Sequence, residues 1–198
     1  MKYHHGNLKE ALIESACSVC ECEGHEHMSL RSIAKNANVS QTAPYRHFKT
    51  KQDLLSEVAK RGFVELKNVL MNASRDTKTP EDPQEKFLNM GLAYLNFGLS
   101  KQNTYDLMNG PECPKDDYPE LKTEAQETFA ILITTIVELK PGINETELEM
   151  MSIKHWATLH GLVSLLRNKD MAESEWGAGP ALRSVKKDLR KFLRLAID

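Results

Sequence analysis

The stretch VSQTAPYRHFKTKQDLL occupies residues 39–55 and carries the strongest local structural signals in the chain. Ser40 is a favourable N-cap residue, and residues 41–48 behind it predict a short helix of about two turns. Thr50 and Asp53 form a Thr-x-x-acid capping box ahead of two leucines, which predicts the start of another helix. A helix as short as residues 41–48 is not stable alone in water, so neighbouring parts of the chain must hold it in place.

The short predicted helix has apolar residues on one side and hydrogen-bonding residues on the other. Its buried side is expected to be formed by Val39, Pro44 and Phe48. The outward side carries donors and aromatic rings with few acids: Gln41, Thr42, Tyr45, Arg46 and His47. A short, firmly held helix with polar residues outward is suited to reading a DNA groove. The alternative is that the tyrosine and the histidine only pack within a small bundle.

Two helices are predicted upstream of this stretch. The first covers residues 7–23, where apolar residues recur at helical spacing, and Gly24 ends it as a C-cap. Ser29 can cap the second, residues 30–37. Asn38 follows, a residue that tolerates the left-handed conformation of a tight turn. Helix, turn of about three residues and helix is the arrangement of a helix-turn-helix.

Downstream, the apolar periodicity predicts longer helices and no strand. The polar stretch 75–83 contains two prolines and is the best loop boundary. The predicted helices after residue 50 are 51–74, 84–99, 102–108, 119–140, 145–167 and 181–196. The segment FAILITTIVEL, residues 129–139, is apolar on nearly every face, which predicts that it is enclosed on all sides. The fold class is therefore all-α with about nine helices: a helix-turn-helix three-helix bundle in residues 1–62 and a larger helical domain in residues 63–198.

The net charge of −2 does not by itself suggest a nucleic-acid partner, but the distribution of charge does. Residues 1–75 contain eleven Lys/Arg and eight Asp/Glu, and residues 28–62 contain seven basic residues and two acids. Such a basic region on a mildly acidic protein is typical of a local DNA-binding surface, although chance clustering on a solvated face is the alternative. No apolar run is long enough to span a membrane and the N-terminus lacks a signal peptide, so a cytoplasmic location is expected.

Residues 29–55, SLRSIAKNANVSQTAPYRHFKTKQDLL, resemble the N-terminal domain of the TetR family of bacterial transcriptional regulators. The resemblance extends over about residues 8–63, and Asn38 stands where the family usually has glycine. A second resemblance lies at Trp156-x-x-x-His160-Gly161, the motif of one TetR subgroup. The family implies a homodimer that binds a palindromic double-stranded DNA operator, most often as a repressor released by a small-molecule effector.

Carried over by position, the resemblance assigns DNA-binding roles to nine residues. The residues facing base edges would be Gln41, Thr42 and Tyr45, and Arg31 would reach a base edge or a phosphate. Gln can pair with adenine and the Thr methyl can contact the thymine methyl. The residues lying against phosphates, together with the cap, would be Ser29, Ser40, Ala43 (through its backbone), His47 and Lys51.

The larger domain is expected to bind an apolar effector and to form the dimer. Aromatic and methionine side chains suit an adaptable cavity, although each could equally be a core residue. The candidates are Phe87, Met90, Tyr94, Phe97, Tyr105, Met108, Phe129, Trp156 and His160. The dimer is expected to form through the last two helices, 145–168 and 181–196, unless the last apolar stripe is wholly intramolecular.

A cysteine and histidine cluster leaves a rival hypothesis open. Its members are Cys17, Cys20, Cys22, His25 and His27. Thiolate and imidazole ligands suit zinc or copper(I), so a metal or redox sensor is the second function considered. The helical spacing does not bring all three cysteines to one face, and no metal site or cofactor is predicted. The third function, an enzyme, is not favoured because the sequence contains no recognisable catalytic motif.

Overall fold

The computed structural model describes residues 8–75 and 82–196, and over these ranges the chain is all-α, with no strand. This confirms the predicted fold class, with ten α-helices in place of about nine. The helices are α1 Leu8–Glu23, α2 Leu30–Asn36, α3 Lys51–Arg75, α4 Pro83–Ser100, α5 Gln102–Asn109, α6 Pro119–Leu139, α7 Glu145–Arg167, α8 Lys169–Glu173, α9 Gly179–Lys187 and α10 Leu189–Ala196. Two short 3-10 helices lie at Pro44–Arg46 and Lys115–Asp117. Most of the predicted loop at 75–83 lies outside the described residues.

The C-terminal region differs from the sequence-based expectation in two places. The predicted single helix 181–196 is divided at Asp188, whose backbone leaves the helical region at φ −145° and whose Oδ1 accepts a hydrogen bond from the Lys191 amide at 2.9 Å. The predicted loop after residue 167 contains α8, where Asn168 Oδ1 accepts from the Met171 amide at 3.0 Å. In both places a side-chain cap starts a new helix inside a pattern whose apolar spacing gives no sign of a break.

The chain forms two compact units. The first contains the described residues up to Glu65 together with Lys101–Gln126, and the second contains Leu66–Ser100 and Glu127–Asp198. The sequence analysis assigned 101–126 to the larger domain, whereas here the segment groups with the helix-turn-helix. Local periodicity cannot report this, because the grouping depends on which distant helices pack together.

Within the first unit, α5 is attached to the C-terminal end of α1. Thr104 donates its hydroxyl to Glu21 Oε2 at 2.7 Å, and its amide lies 3.4 Å from the same oxygen. Asn103 Nδ2 donates to the Glu21 carbonyl oxygen at 2.9 Å. The residue before α5, Lys101, makes no side-chain cap, so a carboxylate from another helix satisfies part of its N-terminus.

Within the second unit, α4 packs mainly against α7 and α10. The segment 129–139 of α6 is not enclosed on all sides, which corrects the sequence-based expectation. Thr135 and Ile136 are buried, but Ala130, Thr134 and Val137 are exposed. An apolar helix surface that its own chain leaves uncovered is typical of an assembly contact. Among the described residues, no helix is both long and apolar enough to cross a bilayer.

Candidate nucleic-acid interface and ligand-binding residues

The helix that precedes the predicted recognition segment is fixed by a capping box. The Ser32 amide donates to Ser29 Oγ at 3.0 Å, and the Ser29 amide donates to Ser32 Oγ at 2.9 Å. The predicted cap at Ser29 is therefore confirmed. Asn38 then adopts φ +54°, as the sequence predicted for the turn. The Val39 amide donates to the Ala34 carbonyl at 2.9 Å, which directs the chain back from α2 into the exposed stretch.

The recognition segment is tighter than the predicted two-turn helix over 41–48. Regular structure is confined to the 3-10 helix Pro44–Arg46, preceded by a turn in which the Ala43 amide donates to the Ser40 carbonyl at 2.9 Å. Proline has no N–H and cannot make an α-helical bond back to residue 40, which accounts for the local shortening. Ser40 Oγ lies 3.2 Å from Thr42 Oγ1 and caps no helix of its own.

Two buried anchors and a second capping box hold this segment. Pro44 and Phe48 are buried, as predicted, and Phe48 is among the most buried large side chains of the described residues, whereas Val39, the third residue of the predicted buried side, is only half-buried. The predicted box at the start of α3 is confirmed, since the Asp53 amide donates to Thr50 Oγ1 at 3.1 Å and the Thr50 amide to Asp53 Oδ2 at 2.9 Å. The Lys49 amide donates to the same carboxylate at 2.8 Å. The short segment is therefore stabilised from both ends.

The hydrogen bonds at Asp53 also explain its electrostatics. Burial alone would raise the pKa of this carboxyl group, but the hydrogen bonds from Thr50 (backbone and side chain), the Lys49 amide and Tyr118 outweigh it and hold the pKa below its usual range. Asp53 is therefore ionised at neutral pH and places a negative charge in the first turn of α3, where the helix dipole favours it.

Most residues assigned to base edges or phosphates are exposed together. They are Ser29, Arg31, Ser40, Gln41, Thr42, Tyr45 and His47. Two others are already engaged: Ala43 is buried with its amide bonded to Ser40, and Lys51 is half-buried with Nζ donating to the Glu26 carbonyl at 3.0 Å. The exposed cations Lys35, Arg46 and Lys49 lie in the same sequence region. The residue-by-residue assignment did not include them, although the charge count over 28–62 contained the signal.

The aromatic candidates for an effector site are divided between the two units. Tyr105 and Met108 are buried in the first unit, where a Cβ added at Gly62 would lie 2.5 Å from Met108 Sδ. In the second unit, Met90 and Phe97 are buried and Tyr94 is half-buried. These five residues therefore do not belong to one compact group.

Three ring contacts in the second unit involve α7. The Phe87 ring lies 4.8 Å from the His155 ring in an edge-to-face arrangement. Phe129 lies 6.1 Å from Trp156, and Trp156 lies 5.9 Å from His160. Trp156 is exposed and His160 half-buried, whereas His155 is buried. Five residues turn a helix by about 500°, so His155 and His160 lie on different faces of α7, and their burial agrees with this.

The cysteines are mostly held as neutral thiols. Burial raises the pKa of Cys17 to about 11, of Cys20 to about 12 and of Cys113 to about 11. A thiol rather than a thiolate is a poor nucleophile and a poor metal ligand. Among residues 8–75 and 82–196, no group of three or more His, Cys, Asp or Glu side chains is arranged to hold a metal ion.

Comparison with known proteins agrees with the helix-turn-helix geometry. Residues 12–58 match the profile of bacterial regulatory proteins of the tetR family, and residues 87–183 match the tetracyclin repressor-like C-terminal domain. The chain therefore belongs to the TetR family of transcriptional regulators, which confirms the resemblance seen in the sequence. That membership also supports the expectation that the chain is not an enzyme.

Individual relatives are distant. The uncharacterized HTH-type transcriptional regulator YobS of Bacillus subtilis (strain 168) is 24% identical over 101 residues, and the match covers 51% of each chain. The chain thus spans about half the length of that relative. A solved structure of a protein with unknown function from Rhodococcus sp. RHA1 has a TM-score of 0.73 at 22% identity, covering 96% of this chain and 97% of the other. A TetR-family transcriptional regulator from Bordetella parapertussis 12822 has a TM-score of 0.61 at 16% identity, covering 93% and 94%.

Proposed function

We propose that the chain is a homodimeric, cytoplasmic repressor that binds a palindromic operator through residues 29–51 and is released by a small apolar effector. The observation that carries the proposal is the short exposed segment around Pro44–Arg46, held between two capping boxes. Because this segment is anchored by buried Pro44 and Phe48, its outward side chains are presented at little further cost in conformational entropy.

The chemistry of the exposed side chains supports a DNA partner. Gln41 and Thr42 can contact base edges in the major groove, and Tyr45 is 51% exposed beside them. Arg46 and Lys49 add positive charge at the same surface and suit phosphates. We assign the phosphate role to these cations in preference to Lys51, whose ammonium group is already bonded to the Glu26 carbonyl.

The second copy is proposed to dock on α7. Met150, at 68% exposed, and Ile153, at 55%, lie on one side of this helix together with Ala157 and Ser164. A Cβ added at Gly161 on the same side would have no neighbour within 4 Å among residues 8–75 and 82–196, so no contact within this part of the chain accounts for a glycine there. Glycine within a helix costs about 1 kcal/mol relative to alanine, and the close approach of a second helix would explain it.

Residues 181–196 were also expected at the dimer face, but α10, which they contain, packs against α4 of its own chain. The Arg190 guanidinium of α10 bonds Asn89 and Glu85 of α4, and a Cβ added at Gly91 of α4 would lie 3.1 Å from Leu193 Cδ1. Because the stripe of α10 packs on α4, we assign the dimer contact to α7 rather than to 181–196. Val137 on α6 is a further exposed apolar residue that can extend it.

The experiment that tests the function is fluorescence anisotropy with DNA duplexes tiled across the region flanking the gene, at two salt concentrations. We expect tight binding to one palindromic duplex, with a steep salt dependence. The variant Tyr45→Ala should lose it. Its matched control is Trp176→Ala, which removes an aromatic residue 81% exposed in the loop after α8 and should bind as the wild type does. Equal, weak binding to every duplex by all three proteins would contradict the proposal.

A redox or metal sensor is the second candidate, and its buried thiols make it the weaker one. The same titration with zinc and with reductant separates the two: operator affinity that changes with either addition would support the sensor, and unchanged affinity would support a repressor controlled by an organic effector.

A further inference from the structure

The core of the second unit contains a buried polar atom without a hydrogen-bond partner, although neighbouring buried polar groups have one. Three of its buried polar residues are Thr135, Ser152 and His155. Thr135 donates its hydroxyl to the Ile131 carbonyl at 2.8 Å, and Ser152 donates its hydroxyl to the Leu148 carbonyl at 2.7 Å. Nε2 of His155 is buried and has no hydrogen-bond partner, and it is the one such side-chain atom among the described residues of this unit.

An unpaired buried nitrogen is expensive for the fold. Leaving such a group unsatisfied costs about 1–3 kcal/mol. A phenylalanine would fill the same space without that cost. His155 lies one turn after Ser152, on the buried side of α7, so the imidazole does not reach solvent. Contact with bulk water therefore does not offset the missing hydrogen bond. A nitrogen kept in this state is available to a molecule that enters the core.

The surroundings define the kind of molecule. The Phe87 ring packs edge-on against the imidazole, with 4.8 Å between the ring centroids, and α4, which carries Phe87, packs against α7. Burial, with smaller effects of Lys154 and Lys140, lowers the pKa of His155 to about 4. The imidazole is therefore neutral at physiological pH and cannot form an ion pair with an anion. A neutral imidazole has one N–H and one acceptor nitrogen, and a hydroxyl group can bond to either.

We propose that Nε2 of His155 is the polar anchor of the effector site, and that the effector is an uncharged, apolar molecule whose single hydroxyl group bonds this nitrogen beside Phe87. The inference rests on the proposed function, because it describes the effector that the regulator responds to. The anchor is therefore His155 and not the sequence-based candidate His160, which is half-buried against Trp156.

The test uses three naphthalenes that differ in one substituent: 1-naphthol, 1-methylnaphthalene and 1-naphthoate. Their binding to the full chain, without DNA, is measured by isothermal titration calorimetry. We expect the hydroxyl compound to bind about 5-fold more tightly than the methyl compound, because one neutral hydrogen bond contributes about 1 kcal/mol. The anion should bind weakest, since it loses its hydration without gaining an ion pair.

Two variants of His155 and one control identify the nitrogen. His155→Phe should bind 1-naphthol and 1-methylnaphthalene equally and should melt at or above the wild-type temperature. His155→Gln should keep part of the hydroxyl preference, because it keeps hydrogen-bonding groups. The control Thr135→Val removes a buried hydroxyl that is already bonded to the Ile131 carbonyl, and it should discriminate as the wild type does.

The outcomes separate the two proposals. No binding of any naphthalene, no preference for the hydroxyl in the wild type, or a preference that survives in His155→Phe would each overturn the role of His155. None of these results bears on operator binding, which the anisotropy experiment tests alone. If the anisotropy experiment fails but the wild type prefers the hydroxyl compound, the ligand site at His155 is supported and the proposed function as an operator-binding regulator is rejected.

Discussion

The stretch around Pro44–Arg46 and the outer side of α7 are both exposed, yet their chemistry is opposite. The first presents Gln41, Arg46 and Lys49, held by capping boxes and a buried phenylalanine. The second presents Met150 and Ile153 on a long regular helix. A charged and hydrogen-bonding surface suits a polyanion, whereas a contiguous exposed apolar surface is typical of a protein contact. This difference in chemistry is the basis of the two partners proposed above, DNA and a second copy of the chain.

The largest expected effect tests whether α7 pairs with a second copy. Ile153→Glu would bury a carboxylate in the dimer contact, so we expect the dimer dissociation constant to rise by about 100-fold or more, since an unpaired buried charge costs several kcal/mol. Sedimentation velocity over a concentration series measures it. The matched control is Leu195→Glu on α10, which is 75% exposed and should leave the dimer intact. The reverse pattern would move the contact to residues 181–196.

The second prediction separates base contacts from phosphate contacts on the DNA surface. Gln41→Ala should weaken operator binding by about 10- to 100-fold and change non-specific binding little, because a bidentate base contact contributes about 1–3 kcal/mol. Lys49→Ala should weaken both equally and lower the salt slope by about one. Anisotropy titrations on operator and scrambled duplexes give both quantities. If Gln41→Ala affects the two duplexes equally, this residue does not read a base.

The third prediction compares two helical glycines. Gly62→Ala should destabilise the chain by about 1–3 kcal/mol, because the added carbon would lie 2.5 Å from Met108 Sδ and 2.8 Å from Thr104 Cγ2. Gly161→Ala, with open space around it, should stabilise the monomer by about 1 kcal/mol and weaken the dimer. Urea unfolding in the Ile153→Glu background measures monomer stability without the contribution of dimerisation. Equal destabilisation by both changes would mean that Gly161 is required within its own chain.

The smallest effect concerns the capping box at the start of α3. Asp53→Ala should cost about 1 kcal/mol at neutral pH, because it removes a cap shared by four groups, the Lys49 and Thr50 amides and the Thr50 and Tyr118 hydroxyls. The folded-state pKa of Asp53 is lowered, so its stabilisation is present above the ordinary pKa of about 3.9 and is lost as the pH falls through the lowered value. Thermal melts from neutral to acidic pH should show the gap to wild type closing. Ser29→Ala is the control, since it removes the cap of α2 without removing a titratable group, and its gap to wild type should not close in this way.

Features decided by neighbouring residues could be predicted from the sequence. The caps at Ser29 and Thr50 and the left-handed turn at Asn38 each depend on groups within four residues, and each was predicted correctly. The position of the residues proposed to contact DNA follows from the same signals. The recognition helix was predicted too long because apolar spacing was given more weight than the missing N–H of Pro44.

Features decided by distant residues could not be predicted. Nothing near Thr104 in the sequence indicates that Glu21 would cap its helix, and nothing near Leu193 indicates contact with Gly91. The ligand candidates were chosen by residue type, and residue type does not distinguish Met108 in the first unit from Met90 in the second. His155 was passed over because a histidine becomes conspicuous only when its nitrogen is known to be buried and unpaired.

The sequence by itself determined the all-α fold, the helix-turn-helix and the family, and it supplied the side chains proposed to contact DNA, because helical periodicity, caps and turn residues act over a few positions along the chain. The tertiary structure alone decided that residues 101–126 join the DNA-binding helices, that α10 covers α4 while α7 stays exposed, and that His155 lies in the core without a partner. These depend on which distant surfaces exclude water from one another, and that is settled only when the whole chain has packed.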